Sequence, residues 1–280
     1  LGMSPLISIV MPVFETEAYL GESLQGILQQ DYPTWELLVI LDGGPEADQA
    51  SWWQSSYPDP RIRWLISSRN RGLTRSRNLG IRCAKGSWLA FCDSDDVWRP
   101  DKLSAQWKEA QRGGYNVLGT GFAFMRQLST ADPGNAGRYW LKRAILPSTL
   151  NYATLRATNA LPMSSAMYHA EVLGKYYFQN AGSPDLIHED YAYWLNLFAN
   201  PKVKSTLLHR TLLGIRLRSQ SRSSNKIKAM RAHAAILGEH LGPGLWSRLH
   251  VLAYLMQYSY WAIRKRSGPW LPSHEFDWHP

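Results

Sequence analysis

The chain of 280 residues has only two cysteines, Cys83 and Cys92. They lie in apolar or helical surroundings without metal-ligand spacing. That excludes a zinc module and predicts reduced core thiols rather than a disulfide, as in a cytosolic protein. Glycine is missing where dinucleotide folds need it. After the first apolar run the chain reads "PVFETEAYL", with no glycine before Gly21, so a G-x-G-x-x-G pyrophosphate nest is excluded; no G-x-x-x-x-G-K-[ST] loop occurs either. Long hydrophobic runs are scarce too. The N-terminal "LGMSPLISIVMPV" lacks a basic leader and its apolar stretch is too short for a secretory signal. Residues 244–270 are apolar and aromatic, but Arg248, His250 and Gln257 interrupt them and make a transmembrane span a poor reading. There is no internal repeat, and no zinc-finger, RRM or KH signature.

Acidic residues are short at one end. Residues 1–200 carry 18 Lys and Arg against 19 Asp and Glu, whereas residues 201–280 carry 13 against 3. The net charge of +9 therefore belongs to the C-terminal part. Nucleic acid is one partner for such a segment, and an anionic membrane surface is another. With 45% hydrophobic and 19% charged residues the chain is globular. Its length suits one large α/β domain, or one domain with an appended helical piece.

What is present begins with β-branched apolar runs. "LISIVMPV" (6–13), "ELLVILDGG" (36–44), "IRWLISS" (62–68) and "SWLAFCD" (87–93) read as buried strands. Helical spacing predicts helices over 17–30, 46–56, 73–84 and 102–112. This alternation points to a parallel sheet covered on both faces. Further on, 116–125 and 164–169 read as strands, 171–177 and 188–200 as helices, and 205–217 as two short strands or one bent one. Residues 132–137 are Gly/Pro/Asn-rich and read as a loop.

In such sheets ligands bind beyond the carboxyl ends of the strands. That rim holds Pro12, Val13, Phe14 and Glu15, then Asp42, the loop at 69–72, and "FCDSDDVW" (91–98). Asp93, Asp95 and Asp96 crowd three carboxylates into four positions, where like charges repel and raise one another's pKa. A solvated acidic turn is one explanation. A divalent cation is the other: Mn²⁺ or Mg²⁺ on carboxylate oxygens bridges to a diphosphate and stabilises its departure. Asp42 either shapes a turn with Gly43 or accepts hydrogen bonds from a base or ribose.

These stretches, together with "RNRGLTRSRNLGIRCAKG" and "HEDYAYWLNLF", resemble the family 2 glycosyltransferases of GT-A fold, especially bacterial enzymes of polysaccharide and lipopolysaccharide biosynthesis. The resemblance spans most of residues 6–217. It implies an α/β, Rossmann-like, mostly parallel sheet flanked by helices, with a catalytic domain at 4–217. Within it a nucleotide-sugar half covers about 4–98 and an acceptor half about 99–217. Residues 218–280 form a basic, partly helical extension.

The implied reaction moves a sugar from a nucleotide diphosphate, with UDP the expected carrier, to a hydroxyl of a saccharide or lipid-linked acceptor, with inversion. By the same resemblance Pro12, Val13, Phe14 and Glu15 surround the nucleoside, and Phe14 and Glu15 depart from the family's Tyr-Asn. Asp42 contacts the base; Asn70 and Gly72 belong to the loop before the third helix. Arg77 reaches a diphosphate or ribose, or is a plain helix-surface arginine. Asp93 meets ribose or donor sugar, Ser94 belongs to the nucleotide-sugar site, Asp95 with Asp93 holds the metal, and Asp96 supports the turn or sugar hydroxyls. Arg216 and Arg218 stand in a segment that closes over the diphosphate, with Ile215 and Arg218 replacing the family's Tyr and His.

Asp190 is the general base and Glu189 the second choice, although a carboxylate at a helix start also serves as a cap. Tyr191 or Trp194 is expected to wall the acceptor. Localisation follows as cytoplasmic, peripheral on the inner membrane through an interfacial helix in 244–270. A helix packed on the core and a homodimer contact are the other readings of that segment. A sugar-nucleotide nucleotidyltransferase and a noncatalytic nucleic-acid or scaffold protein are the competing functions; no nucleic acid is expected to bind.

Overall fold

Four apolar runs become the parallel centre of the sheet: β1 (Ile7–Val13), β2 (Trp35–Asp42), β3 (Ile62–Ser67) and β4 (Trp88–Phe91), in the order β4-β1-β2-β3. The computed structural model describes residues 4–127, 139–157, 159–179, 189–217, 226–241, 244–264 and 269–272. Residues 132–137, His188 and Arg218 lie outside the described residues.

Alternate residues of β1 feed two cores, as the period of two requires. Ile7, Ile9, Met11 and Val13 face Leu20, Leu24 and Ile27 of α1 (Glu17–Leu28) and Leu103 of α5 (Lys102–Gly113). Val10 faces Ile81 of α4 (Leu73–Cys83) and, farther along, Trp194 of α8 (Glu189–Phe198). Each such side chain, fully withdrawn from water, contributes about 1.5–3 kcal/mol. Gly80 lets α4 lie close on the sheet: a Cβ there would come within 2.4 Å of Val10 Cγ1.

The predicted helix over 46–56 is two helices, α2 (Gly44–Asp48) and α3 (Ala50–Ser56). Gly43 and Gly44 have φ of 73° and 76°, and Pro45 starts α2, so the chain turns sharply off β2.

The second half makes the sheet mixed. β8 (Met167–His169) runs antiparallel beside β4 and pairs with the start of β6 (Val117–Gln127). The far end of β6 takes β7 (Tyr139–Arg143) on the same side, and β10 (Leu271–Pro272) borders β7. On its other side β6 carries β9 (Ser205–Arg216) in parallel. The register shifts at Thr120–Phe122 show that 205–217 is one bent strand. β9 also pairs with β5 (Val97–Trp98), a two-residue strand directly after the acidic cluster. Besides β8, the described residues between β7 and α8 form α6 (Tyr152–Ala157), a 3₁₀ turn at Met163–Ser165, and α7 (Ala170–Leu173). The C-terminal region contributes α9 (Lys226–Leu241) and α10 (Leu245–Arg264). Both cysteines are free thiols, and Cys92 is fully buried.

Lys102 is fully buried at the start of α5. Its ammonium donates to Gln106 Oε1 at 2.8 Å and lies 3.8 Å from the centre of the Trp98 ring. Burial lowers its pKa from 10.5 to about 7. Between those values the unfolded chain holds a proton that the folded chain lacks, so this group makes stability rise with pH from about 7 to about 10.5. Its greatest contribution to the slope is roughly 1.4 kcal/mol per pH unit. The Lys102→Met variant is expected to flatten that rise. Urea midpoints measured from pH 6.5 to 9.5 check it, and a native slope surviving in the variant refutes the assignment.

Candidate active site

The carboxyl ends of β1, β2, β3 and β4 open onto one rim. After β1, Phe14 lies half-buried with its ring 3.2 Å from where a Cβ at Gly44 would stand, and Glu15 adopts φ 53°. Glu46 of α2 is fully buried and fixes this turn by accepting the Glu15 amide at 3.2 Å and the Thr16 amide. Pro12 and Val13 lie buried within β1, opposite Ile40 and Leu41.

Asp42, at the end of β2, clamps the neighbouring loop. Its Oδ1 accepts the Arg71 amide at 2.9 Å and its Oδ2 the Gly72 amide at 2.8 Å. Asn70 Oδ1 also accepts the Gly72 amide, at 2.8 Å. Gly43 is required beneath this loop, because a Cβ there would come 2.6 Å from Asn70 N. The clamp is a role beyond the two weighed from sequence. Each Asp42 oxygen keeps a lone pair for a further donor.

Beyond β4 the acidic residues separate by direction. The Asp93 amide donates to Ser164 Oγ at 2.9 Å, and its side chain is 36% exposed on the rim. Ser94 turns inward: its hydroxyl meets Thr16 Oγ1 at 2.9 Å and its carbonyl accepts Ser23 Oγ at 2.9 Å. Its hydroxyl therefore ties the cluster to the start of α1. Asp95 is half-buried. Asp96 is buried; burial, reinforced by the charges of Asp95 and Asp93, pushes its carboxyl well above the usual range, against hydrogen bonds from Ser164 and the Arg216 amide. Its Oδ1 accepts the Arg216 amide at 3.2 Å.

Two arginines hold this arrangement from below. Arg77 of α4 is not on a helix surface, since only 3% of its side chain is exposed. It donates to Asp93 Oδ1 at 2.6 Å and to Glu189 Oε1 at 3.4 Å, and its guanidinium lies 5.4 Å from the Phe178 ring centre. Burial opposes its charge, but Asp93, Glu189 and Asp190 outweigh it and raise its pKa. Arg216, at the end of β9, is also buried. Its Nε donates to the Asp95 carbonyl at 3.1 Å, its Nη2 to Glu22 Oε2 at 2.5 Å, and it stacks on Tyr19. Arg216 ends the β9 strand and anchors the Asp95–Asp96 turn.

Glu189 and Asp190 begin α8, brought to the rim through Arg77. Asp190 Oδ2 accepts Asn159 Nδ2 at 2.9 Å, and Oδ1 accepts the Tyr191 amide at 2.8 Å. Asp190 thus satisfies a first-turn amide of α8 and is linked to Asn159. Tyr191 and Trp194 are fully buried in the aromatic core with Phe91 and Tyr193, so neither walls an acceptor as expected. Sequence reading missed Glu46, Asn159 and Ser164. Each is a lone polar residue whose only signal is three-dimensional.

The glycosyl transferase family 2 model matches residues 8–173, more than half of the chain and including β1, the Asp42 loop and the acidic cluster. The chain belongs to this family. An uncharacterized glycosyltransferase of Haemophilus influenzae is 28% identical over 80% of this chain and 84% of its own length. The Escherichia coli protein WfgD, a UDP-Glc:alpha-D-GlcNAc-diphosphoundecaprenol beta-1,3-glucosyltransferase, is 25% identical over 94% of this chain and 95% of its own. Among solved structures, TarS of S. aureus with UDP-GlcNAc superposes with a TM-score of 0.68 at 18% identity, covering 92% of this chain and 72% of that one. The Pyrobaculum calidifontis mannosyltransferase PcManGT with GDP-Man and Mn²⁺ gives 0.63 at 17% identity, covering 95% and 74%. This family 2 protein is thus a glycosyltransferase that takes a sugar from a nucleotide-sugar donor to an acceptor. Membership sets the nucleotidyltransferase reading aside.

The cation expected from sequence meets a partial donor set. Among the described residues no group of three or more His, Cys, Asp or Glu converges to hold a metal. Asp93 and Asp95 offer hard carboxylate oxygens at the rim, and such cations bind through one or two carboxylates, with substrate phosphates and water completing the shell. Asp93 Oδ1 is held by Arg77 at 2.6 Å, so its second oxygen and the Asp95 carboxylate are the hard donors that would meet a cation brought with a diphosphate.

Proposed function

We propose that this enzyme is an inverting, cation-assisted transferase using a UDP-sugar, with Asp190 as general base and a saccharide or lipid-linked hydroxyl as acceptor. The observation that carries this reading is the Arg77 bridge, which couples Asp93 on the donor rim to Glu189 and, electrostatically, to Asp190. WfgD, named for a UDP-Glc donor, a diphosphoundecaprenol acceptor and a beta product, supports the donor, acceptor class and stereochemistry. TarS with UDP-GlcNAc supports UDP, and PcManGT with Mn²⁺ supports the metal.

Asp190 takes the acceptor's hydroxyl proton as that oxygen bonds to the anomeric carbon. The bond from that carbon to the diphosphate oxygen breaks, and UDP leaves with the electron pair. When bound, Mn²⁺ or Mg²⁺ supplies charge stabilisation at the departing diphosphate. Asp95, with Asp93, would hold it. Asp42 orders the 70–72 loop beside the nucleoside and offers its remaining lone pairs to the base. Phe14 stacks at the rim, beside Glu15, Asn70 and Gly72.

UDP titration with and without Mn²⁺ or Mg²⁺ tests the donor half of this reading. Affinity is expected to rise with the cation, and Asp95→Ala is expected to weaken cation-dependent binding by about tenfold or more. Binding that ignores the cation, or is unaltered by Asp95→Ala, sinks the metal bridge.

A further inference from the structure

Helix α10 has an apolar side exposed among the described residues. One side packs inward, where Val251 and Tyr254 join Ile236 and Leu237 of α9, and Tyr254 also meets Arg156 of α6. The opposite side exposes Leu249, Leu252, Met256, Tyr260 and Ile263. Their spacing of three, four, four and three residues sets them on one helical face. Exposure reaches 70% at Met256 and 74% at Ile263, more than at any other large apolar side chain among the described residues. The stripe ends beside an open groove of about 500 Å³ between Ile145 and Tyr260, Ile263 and Arg264.

Charge tells what covers this face. Residues 241–274 contain no Asp or Glu, but do contain Arg248, Arg264, Lys265 and Arg266. Arg264 lies in the last turn of α10 and donates to Tyr260 Oη, so a cation and a phenol stand together at the end of the stripe. A second copy docked here would bring two basic, acid-free segments together without counter-charge. A bilayer with anionic headgroups supplies both the apolar depth and the opposite charge. No described helix is long and apolar enough to cross a membrane. At 20 residues α10 is about 30 Å long, enough to lie along a surface.

We propose that α10 docks on an anionic lipid surface through the Leu249–Leu252–Met256–Tyr260–Ile263 face, lying in the plane of the interface. This goes beyond the reaction proposed above and does not depend on it. Whereas the sequence reading placed an interfacial helix somewhere in 244–270, the structure assigns the face.

Co-sedimentation of the full chain with phosphatidylcholine vesicles, with and without 30% phosphatidylglycerol, tests the face. The native chain is expected to pellet with the anionic vesicles and to be released in part by 0.5 M salt. The double variant Leu252→Glu/Met256→Glu is expected to lose about tenfold or more in vesicle affinity, with UDP binding and the thermal midpoint unchanged. If that variant fails to fold, Leu252→Ala/Met256→Ala serves, with a smaller loss in the same direction. Equal pelleting of native and variant chains overturns the proposal. So does a native chain that ignores anionic vesicles, including one that forms a dimer dissociated by the same substitutions.

Discussion

Replacing Asp190 with Asn is expected to lower kcat by roughly 10²–10⁴-fold, the usual contribution of a positioned base. UDP affinity and its response to cation are expected to stay within about twofold, because the hydrogen bonds of Asp190 go to Asn159 and Tyr191 and not to the Asp42 loop or the Asp93–Asp95 cluster. The substitution keeps the side-chain size and an oxygen to accept the Tyr191 amide. It replaces the other acceptor of Asn159 Nδ2 by a second donor, which Asn159 relieves by turning its own amide. The fold is thus preserved and the proton acceptor removed. Turnover by Asp190→Asn near the native value moves the base to Glu189, and Glu189→Gln is the next measurement. NMR of the product reads inversion separately: an α-linked donor is expected to yield a β linkage.

Truncating Arg77 has the largest expected effect on stability. Its guanidinium is almost fully withdrawn from water, and removing it leaves Glu189 close to buried and Asp93 half-facing solvent. Breaking a buried pair by deleting one partner costs about 3–5 kcal/mol. Because Asp93 is partly solvated, Arg77→Met is expected near the lower end of that range, read as a shift of the urea midpoint. Arg77→Lys keeps a charge but not the two-pronged fork, so one of the two carboxylates loses its partner and an intermediate cost is expected. Turnover is expected to fall in both, since α8 loses its tie to the rim. A midpoint for Arg77→Met within about 0.5 kcal/mol of native, comparable to an ordinary surface substitution, refutes the bridge.

Much of the fold was legible because its strands are apolar runs with proline, glycine or aspartate at their ends. β1, β2, β3, α4 and α5 fall within a residue or two of their expected limits. The break at Gln49 was not legible, since 46–56 has continuous helical spacing and the interruption follows from the turn at Gly43–Pro45. β5 is two residues long and exists by virtue of its pairing with β9, which local pattern does not report. The site was legible where motifs carry it: Asp42, the Asp93–Asp96 cluster and Glu189–Asp190 share one rim. Burial was not legible in local pattern. Arg77 and Arg216 lie withdrawn from water because carboxylates from distant segments, Asp93 with Glu189 and Glu22, meet them there. Tyr191 and Trp194 point into the core for a similar reason: α8 must cover the aromatic face of β4.

The pairing of β5 with β9 sets a timetable for the nascent chain. Asp95 and Asp96 leave the ribosome early, but the Arg216 contacts that hold their turn come from a residue about 120 positions later. Likewise Asp93 waits for Glu189 to complete the Arg77 bridge. During synthesis Asp93, Asp95 and Asp96 are therefore present before the residues that hold them in place. Closing such long loops must precede any gain from the contacts, which makes assembly of the cleft a late step.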